Sequence, residues 1–188
     1  MGRWEPNARG RLEEAAMDLY SERGFEQTTV TEIARRAGLT ERTFFRHFSD
    51  KREVLFAGSS ALQGLFVDTL TEVPDSAAPI DAVAAALDAA AAVFQDRHAY
   101  ARQRQMIIAA NADLQERELI KLARLSAAIS DTLRRRGVPE PAASLAAEAG
   151  IAVFKVTFER WIAATGSPDM SRLIRESLDE LKAVTAGA

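Results

Sequence analysis

Between Thr28 and Arg52 the chain reads TTVTEIARRAGLTERTFFRHFSDKR, a run that crowds three helix starts around one glycine stop. Few folds can accommodate that punctuation. Thr29-Val-Thr-Glu32 has the form of a capping box, in which the Thr29 hydroxyl accepts from a free N–H one turn on and Glu32 reaches back to the Thr29 N–H. Ile33, Ala34 and Ala37 then share one face, and Gly38 ends the helix where a left-handed residue is cheapest. Thr40 is the N-cap of a second short helix, Glu41 to Phe48, whose Phe44 and Phe48 lie four apart and point inward together. Asp50 and Glu53 make a third box-like start. A short helix, a turn of Gly38-Leu39-Thr40 and a second short helix are the pattern of a helix-turn-helix, whose second helix enters the DNA major groove.

The charge agrees with that pattern. From Arg35 to Arg52 six basic residues (Arg35, Arg36, Arg42, Arg46, Lys51, Arg52) face two acidic ones (Glu41, Asp50), a balance of +4 in a chain whose formal net charge is −3. A basic patch on an acidic protein is the electrostatic footprint of a DNA-binding module. The competing explanation is a solvated helix pair with ordinary surface arginines.

The rest of the chain reads as helix, because aliphatic residues and alanine recur at three- and four-residue spacing and β-branched runs are absent. The first helix covers 8–23, with Leu12, Ala15, Ala16, Leu19 and Tyr20 as its apolar stripe, Gly24 as its stop and Phe25 as a plug for the small N-terminal core. A longer helix is expected over 51–72. Others follow over 80–96, 99–111, 114–136, 141–165 and 170–184, separated by Val73-Pro74-Asp75-Ser76, Asp113, Gly137 with Val138-Pro139, and Gly166-Ser167-Pro168. The expected fold is therefore all-α with about nine helices: a three-helix DNA-binding bundle over 1–52 and a second helical bundle for ligand binding and dimerisation over 53–188.

The motif series Gly24-Phe25, Thr28-Thr29-Val30, Ile33-Ala34, Ala37-Gly38-Leu39-Thr40, Phe44-Phe45, His47-Phe48 and Lys51 resembles the TetR family of bacterial transcriptional regulators, most closely over Arg9 to Phe56. The resemblance implies a homodimeric repressor with a small-molecule pocket. It also implies that Glu41, Arg42, Thr43 and Arg46 face base edges, while Thr29, Thr31, Phe45, His47 and Lys51 lie along the phosphate backbone, with Thr40 capping the reading helix. An arginine such as Arg42 or Arg46 has the geometry to bond guanine O6 and N7, and Thr43 suits a thymine methyl. Lys51 would supply a point charge to a phosphate. The chain departs from the family at Phe45, where a tyrosine hydroxyl often bonds phosphate; Phe45 is left to pack against sugar or to fill core.

Farther along, Arg102-Gln-Arg-Gln-Met106-Ile-Ile-Ala-Ala-Asn111, Leu114-Gln-Glu-Arg-Glu118, Arg136-Gly137-Val138-Pro139 and Phe158-Glu-Arg-Trp161 are similar to the TetR subgroup associated with mycofactocin clusters, which is linked to acyl-CoA-like ligands. Candidate pocket residues are Phe66, Phe94, Tyr100, Met106, Asn111, Phe154, Phe158 and Trp161, with Arg102 and Arg104 for an anionic group; plain core is the alternative for the apolar residues and a solvated surface for the arginines. Gly150 with Ala142, Ala143, Ala146, Ala147 and Ala149 would permit close helix approach, either between two copies through the last two helices or onto the chain's own core.

Other classes are disfavoured. There is no cysteine, so neither disulfides nor thiolate metal sites are available. His47 and His98 lie far apart, and no phosphate loop or nucleophile motif occurs, so neither an enzyme nor a cofactor is expected. No apolar run is long enough to span a bilayer and no signal core opens the chain, which leads to the expectation of a cytoplasmic protein without a membrane partner. The function expected is a ligand-responsive regulator released from a near-palindromic DNA operator by a small apolar or acyl-CoA-like effector. The alternative is an all-helical small-molecule binding or scaffold protein without specific DNA binding.

Overall fold

The computed structural model describes residues 7–166 and 168–186. The described residues form ten α-helices and one short 3-10 turn, with no strand among them. In chain order the helices are α1 (Ala8–Arg23), α2 (Val30–Arg36), α3 (Glu41–His47), α4 (Lys51–Leu55), α5 (Ser59–Glu72), α6 (Pro79–Phe94), α7 (His98–Ala109), α8 (Ala112–Arg135), α9 (Ala142–Ala163) and α10 (Met170–Ala186). The chain divides into two compact units. One runs up to Gly58 and takes in Gln103–Glu118; the other is Ser59–Arg102 and the chain from Leu119 onward.

The first unit is built on α1, which buries Leu12, Ala15, Ala16, Met17, Leu19 and Tyr20. Against them lie Phe25, Ile33, Ala34, Phe44, Phe48, Val54, Leu55 and Phe56, all buried. Gly38 takes the left-handed φ of 67° that the turn needs, and the bonds Gly38 N–H to Arg35 O (3.0 Å) and Leu39 N–H to Ala34 O (2.8 Å) close α2. The capping box at Thr29 is complete in both directions. The Thr29 N–H and hydroxyl hold the Glu32 carboxyl below its ordinary range. A carboxylate whose pKa is lowered on folding contributes while ionised, so this cap holds at neutral pH and weakens only as acid protonates Glu32.

The single helix expected over 51–72 is two. Phe56 caps α4 at φ −110°, and Phe56, Ala57 and Gly58 separate α4 from α5. The carbonyls that a continuous helix would use internally go to arginines instead: Leu55 O accepts from Arg104 Nε at 2.7 Å, and Ala57 O from Arg9 Nη2 at 2.7 Å. Arg104 also lies over the Phe56 ring and pairs with Glu118 at 2.9 Å, while Arg117 Nε bonds Glu53 at 2.6 Å. These bonds tie the Gln103–Glu118 hairpin to α4. A guanidinium on carbonyls at a helix end satisfies orphan acceptors and suits the dipole.

In the second unit α6 is the central element. Its Ala82, Val83, Ala86, Leu87, Ala90 and Ala91 are buried among α5, α9 and α10. Arg136 caps α5 in the same manner, donating to Leu70 O and Val73 O at 2.5 Å and to Pro74 O at 2.8 Å. Four of the six small residues named on α9 turn inward. Ala143, Ala146, Ala147 and Gly150 are buried within this core, whereas Ala142 is exposed and Ala149 half-buried. An added Cβ on Gly150 would stand 2.4 Å from Val83 Cγ1, so glycine is needed there for packing against α6. Gly150→Ala is therefore expected to destabilise by about 1–3 kcal/mol, although alanine is the better helix former by about 1 kcal/mol. A urea melt reads this, and Val83→Ala in the same chain should recover part of the loss.

Candidate functional site

Helix α3 presents a short, outward face. Phe44 is buried and Thr40 caps the first turn by accepting from Thr43 N–H at 3.2 Å. With Phe44 and Phe48 turned inward, Glu41, Arg42, Phe45 and Arg46 are left exposed on the opposite side. Phe45 is 55% exposed and meets Phe44 edge-on, so it does not fill core. An exposed aromatic on a basic face suits packing against sugar. His47 is half-buried and its Nε2 lies out of water without a hydrogen-bond partner among the described residues, so any phosphate contact by this ring falls to Nδ1.

Not every residue expected on the phosphates is free to serve them. A hydroxyl has one proton to give. Thr29 spends its proton on Glu32 Oε2 at 3.0 Å, and Thr31 spends its own on Glu41 Oε1 at 2.6 Å. Thr40 and Thr43 share one bond at 3.1 Å, which leaves one of their two protons available. Lys51 differs most from expectation. Its ammonium donates to Phe25 O at 2.8 Å, Thr28 O at 3.0 Å and Glu26 O at 3.2 Å, and lies 4.4 Å from the Phe25 ring centre. All three N–H groups are used inside the protein, and none is left for a phosphate in this arrangement. Tyr20 braces the same place through its hydroxyl, which donates to Lys51 O at 2.6 Å. Burial first, then the Asp50 charge, raises the phenol above its ordinary pKa, so it stays a donor.

The charge of the patch contracts accordingly. Arg36 forms a two-point pair with Glu22 at 2.7 and 3.0 Å, and Arg52 is paired with Asp50 at 3.1 Å. Arg35, Arg42 and Arg46 are exposed, and their side chains have no hydrogen bond or ion pair to a described residue. Arg35 was not among the expected contacts. Its signal was its place four residues after Thr31, on the same outward face of α2.

Four of the candidate pocket aromatics form one cluster in the second unit. Phe94 lies 5.9 Å from both Phe154 and Phe158 and 6.3 Å from Trp161, ring centre to ring centre. Trp161 is fully buried and donates from Nε1 to Pro168 O at 3.1 Å, while the His98 ring stands edge-on to it at 4.7 Å. Phe66 belongs to the same buried core. The remaining candidates are elsewhere: Tyr100 lies under the Arg97 guanidinium, Arg102 is exposed, Met106 is 62% exposed, and Asn111 Nδ2 donates to Ile107 O at 2.8 Å. The structure thus brings Phe94, Phe154, Phe158 and Trp161 together on the core that also holds Phe66, and places Arg102 and Met106 in exposed positions. An open groove of about 380 Å³ lies apart from this cluster, lined by Thr71, Asp75, Thr132, Arg135 and Arg136.

Comparison with known proteins follows these two halves. Residues 12–57 match the profile of "Bacterial regulatory proteins, tetR family", and residues 77–186 match that of the "MftR C-terminal domain". The chain belongs to the TetR family. Among curated relatives, TcmR of Streptomyces glaucescens, an HTH-type transcriptional regulator, is 37% identical over 81 residues, which is 43% of this chain and 36% of TcmR. MftR of Mycobacterium tuberculosis is 29% identical over 82 residues, 40% of this chain and 41% of MftR. The matched stretches thus span well under half the length of these relatives. Among solved structures, Thermus thermophilus FadR, a transcriptional repressor in complex with lauroyl-CoA, superposes with a TM-score of 0.55 at 24% identity, covering 91% of each chain. That likeness is one of fold. TetR-family members are regulatory proteins rather than enzymes, and no helix among the described residues is long and apolar enough to cross a membrane.

Proposed function

We propose that this TetR-family chain is a transcriptional regulator that grips a near-palindromic DNA operator as a homodimer and releases it when a small apolar or acyl-CoA-like effector binds its C-terminal part. The observation that carries the reading is the outward face of α3, where Arg42 and Arg46 stand exposed and unpaired beside Phe45, with Arg35 on α2. Their cationic groups are uncommitted, which is what counterion release on DNA requires.

Two chains are needed because one short helix reads too few bases, whereas two related by a dyad read half-sites about one helical turn apart. The surface that supports self-association is the exposed side of α9, where Leu145 (66% exposed) and Val156 (52%) flank Ala152. The effector reading rests on the C-terminal match and on the lauroyl-CoA held by the Thermus protein, together with the Phe94, Phe154, Phe158 and Trp161 cluster as an apolar core that a ligand would have to part. A coupling of about 1–3 kcal/mol weakens DNA binding by about 5- to 150-fold, provided the effector prefers the non-binding state.

The test is a titration of the purified protein on DNA from upstream of its own gene, at fixed salt with random competitor. Competitor-resistant binding by two chains per site is expected; affinity equal to that for random DNA would favour a binding or scaffold protein instead. On such a site Arg42→Ala and Arg46→Ala should each lose affinity. A substitution that removes a phosphate contact should lower the slope of log affinity against log salt by about one, whereas one that removes a base contact should relax sequence preference.

A further inference from the structure

We propose that Glu41 is a base-reading residue that selects cytosine, and that Thr31 is the residue that aims it. The inference rests on the DNA-binding reading of α3. Thr31 on α2 donates its hydroxyl proton to Glu41 Oε1 at 2.6 Å, so the two helices of the helix-turn-helix are joined by a side-chain bond on their outward surface. Both residues are exposed, and Glu41 stands in the first turn of α3 beside Arg42 and one turn before Phe45.

A carboxylate on a surface that meets a polyanion is a liability unless it finds a donor. The positive end of α3 favours an acid in this turn, but that accounts only for a helix-start residue and not for its tether. An ionised carboxylate can only accept hydrogen bonds. In the major groove guanine presents two acceptors and thymine an acceptor and a methyl group. The donors there are the amino groups of cytosine and adenine, and adenine sets its N7 acceptor beside its amino group, where it repels a carboxylate. Cytosine is the base left. Thr31 occupies one oxygen of Glu41 and restricts a long side chain before binding, so Oε2 remains for the base and less rotamer freedom is lost on contact.

The experiment is selection of bound sequences from a random duplex library by the full-length chain, by Glu41→Gln and by Thr31→Val, followed by titration on the enriched site with single base changes. Thermal melts of the two variants should match the parent, since both side chains are exposed. The parent should enrich a cytosine at one position of each half-site and lose about five-fold or more in affinity when it is changed. Glu41→Gln should move that preference toward adenine, whose amino group and N7 suit an amide. Thr31→Val should keep cytosine but with a smaller penalty for its loss. A motif left unchanged by Glu41→Gln overturns the proposal and leaves the DNA reading intact. An unchanged cytosine penalty in Thr31→Val overturns the role given to Thr31. A parent chain that enriches nothing overturns the DNA reading, and this inference with it.

Discussion

Replacing Trp161 with alanine is expected to lower the stability of the second unit by about 3–5 kcal/mol. The side chain is fully buried and its ring touches Phe94, Phe158 and His98. Its Nε1–H is bonded to Pro168 O, and its own carbonyl is within 2.9 Å of His98 Nε2. Alanine would remove the ring, leave a cavity among aromatic neighbours and leave Pro168 O without this donor. A urea or thermal melt reads the effect, as a fall in Tm of more than about 10 °C. Phe158→Ala should cost less, because Phe158 is only half-buried. A loss under about 1 kcal/mol for Trp161→Ala would mean that the cluster collapses easily around the gap, as a wall built to part for a ligand would do.

Lys51→Met is the second large effect, and it separates a brace from a DNA contact. Methionine keeps most of the aliphatic length but removes the ammonium from Phe25 O, Glu26 O and Thr28 O. The expected loss is about 2–4 kcal/mol in the first unit, since each part-buried acceptor left dry costs about 1–3 kcal/mol. At temperatures where the variant stays folded, the salt slope of DNA binding should be that of the parent. An unchanged melt with a slope lowered by about one would show the opposite, that the ammonium turns outward to a phosphate as the family resemblance implies.

Much of the first unit is legible in the sequence. Thr29, Gly38, Thr40 and Asp50 are local signals, each written within a few residues of the helix end it sets, and each stands where its chemistry places it. What could not be read were the long-range bonds. Nothing near Leu55 in sequence says that Arg104 will take its carbonyl, and without that the stretch 51–72 looks like one helix. The candidate DNA residues were identified by type and position, yet whether a threonine or lysine is free depends on which neighbour claims its protons. Thr31 and Lys51 are claimed by groups 10 and 23–26 residues away. Small residues on α9 fit a core or an interface equally well in a sequence, and the place of Val83 opposite Gly150 shows that this glycine serves the core.

The hairpin Gln103–Glu118 has a consequence for inheritance. Because it belongs to the same compact unit as the helix-turn-helix, the reading head is not a contiguous cassette. A hybrid made by grafting a foreign stretch in place of the residues up to Gly58 would set an unfamiliar α4 against Arg104 and Arg117, whose native partners are the Leu55 carbonyl, the Phe56 ring and Glu53. The piece that can be exchanged whole is the split pair of segments. A replacement at Glu53 would take this carboxylate from Arg117, 64 positions later, whereas a substitution on the outer face of α3 leaves the bond untouched.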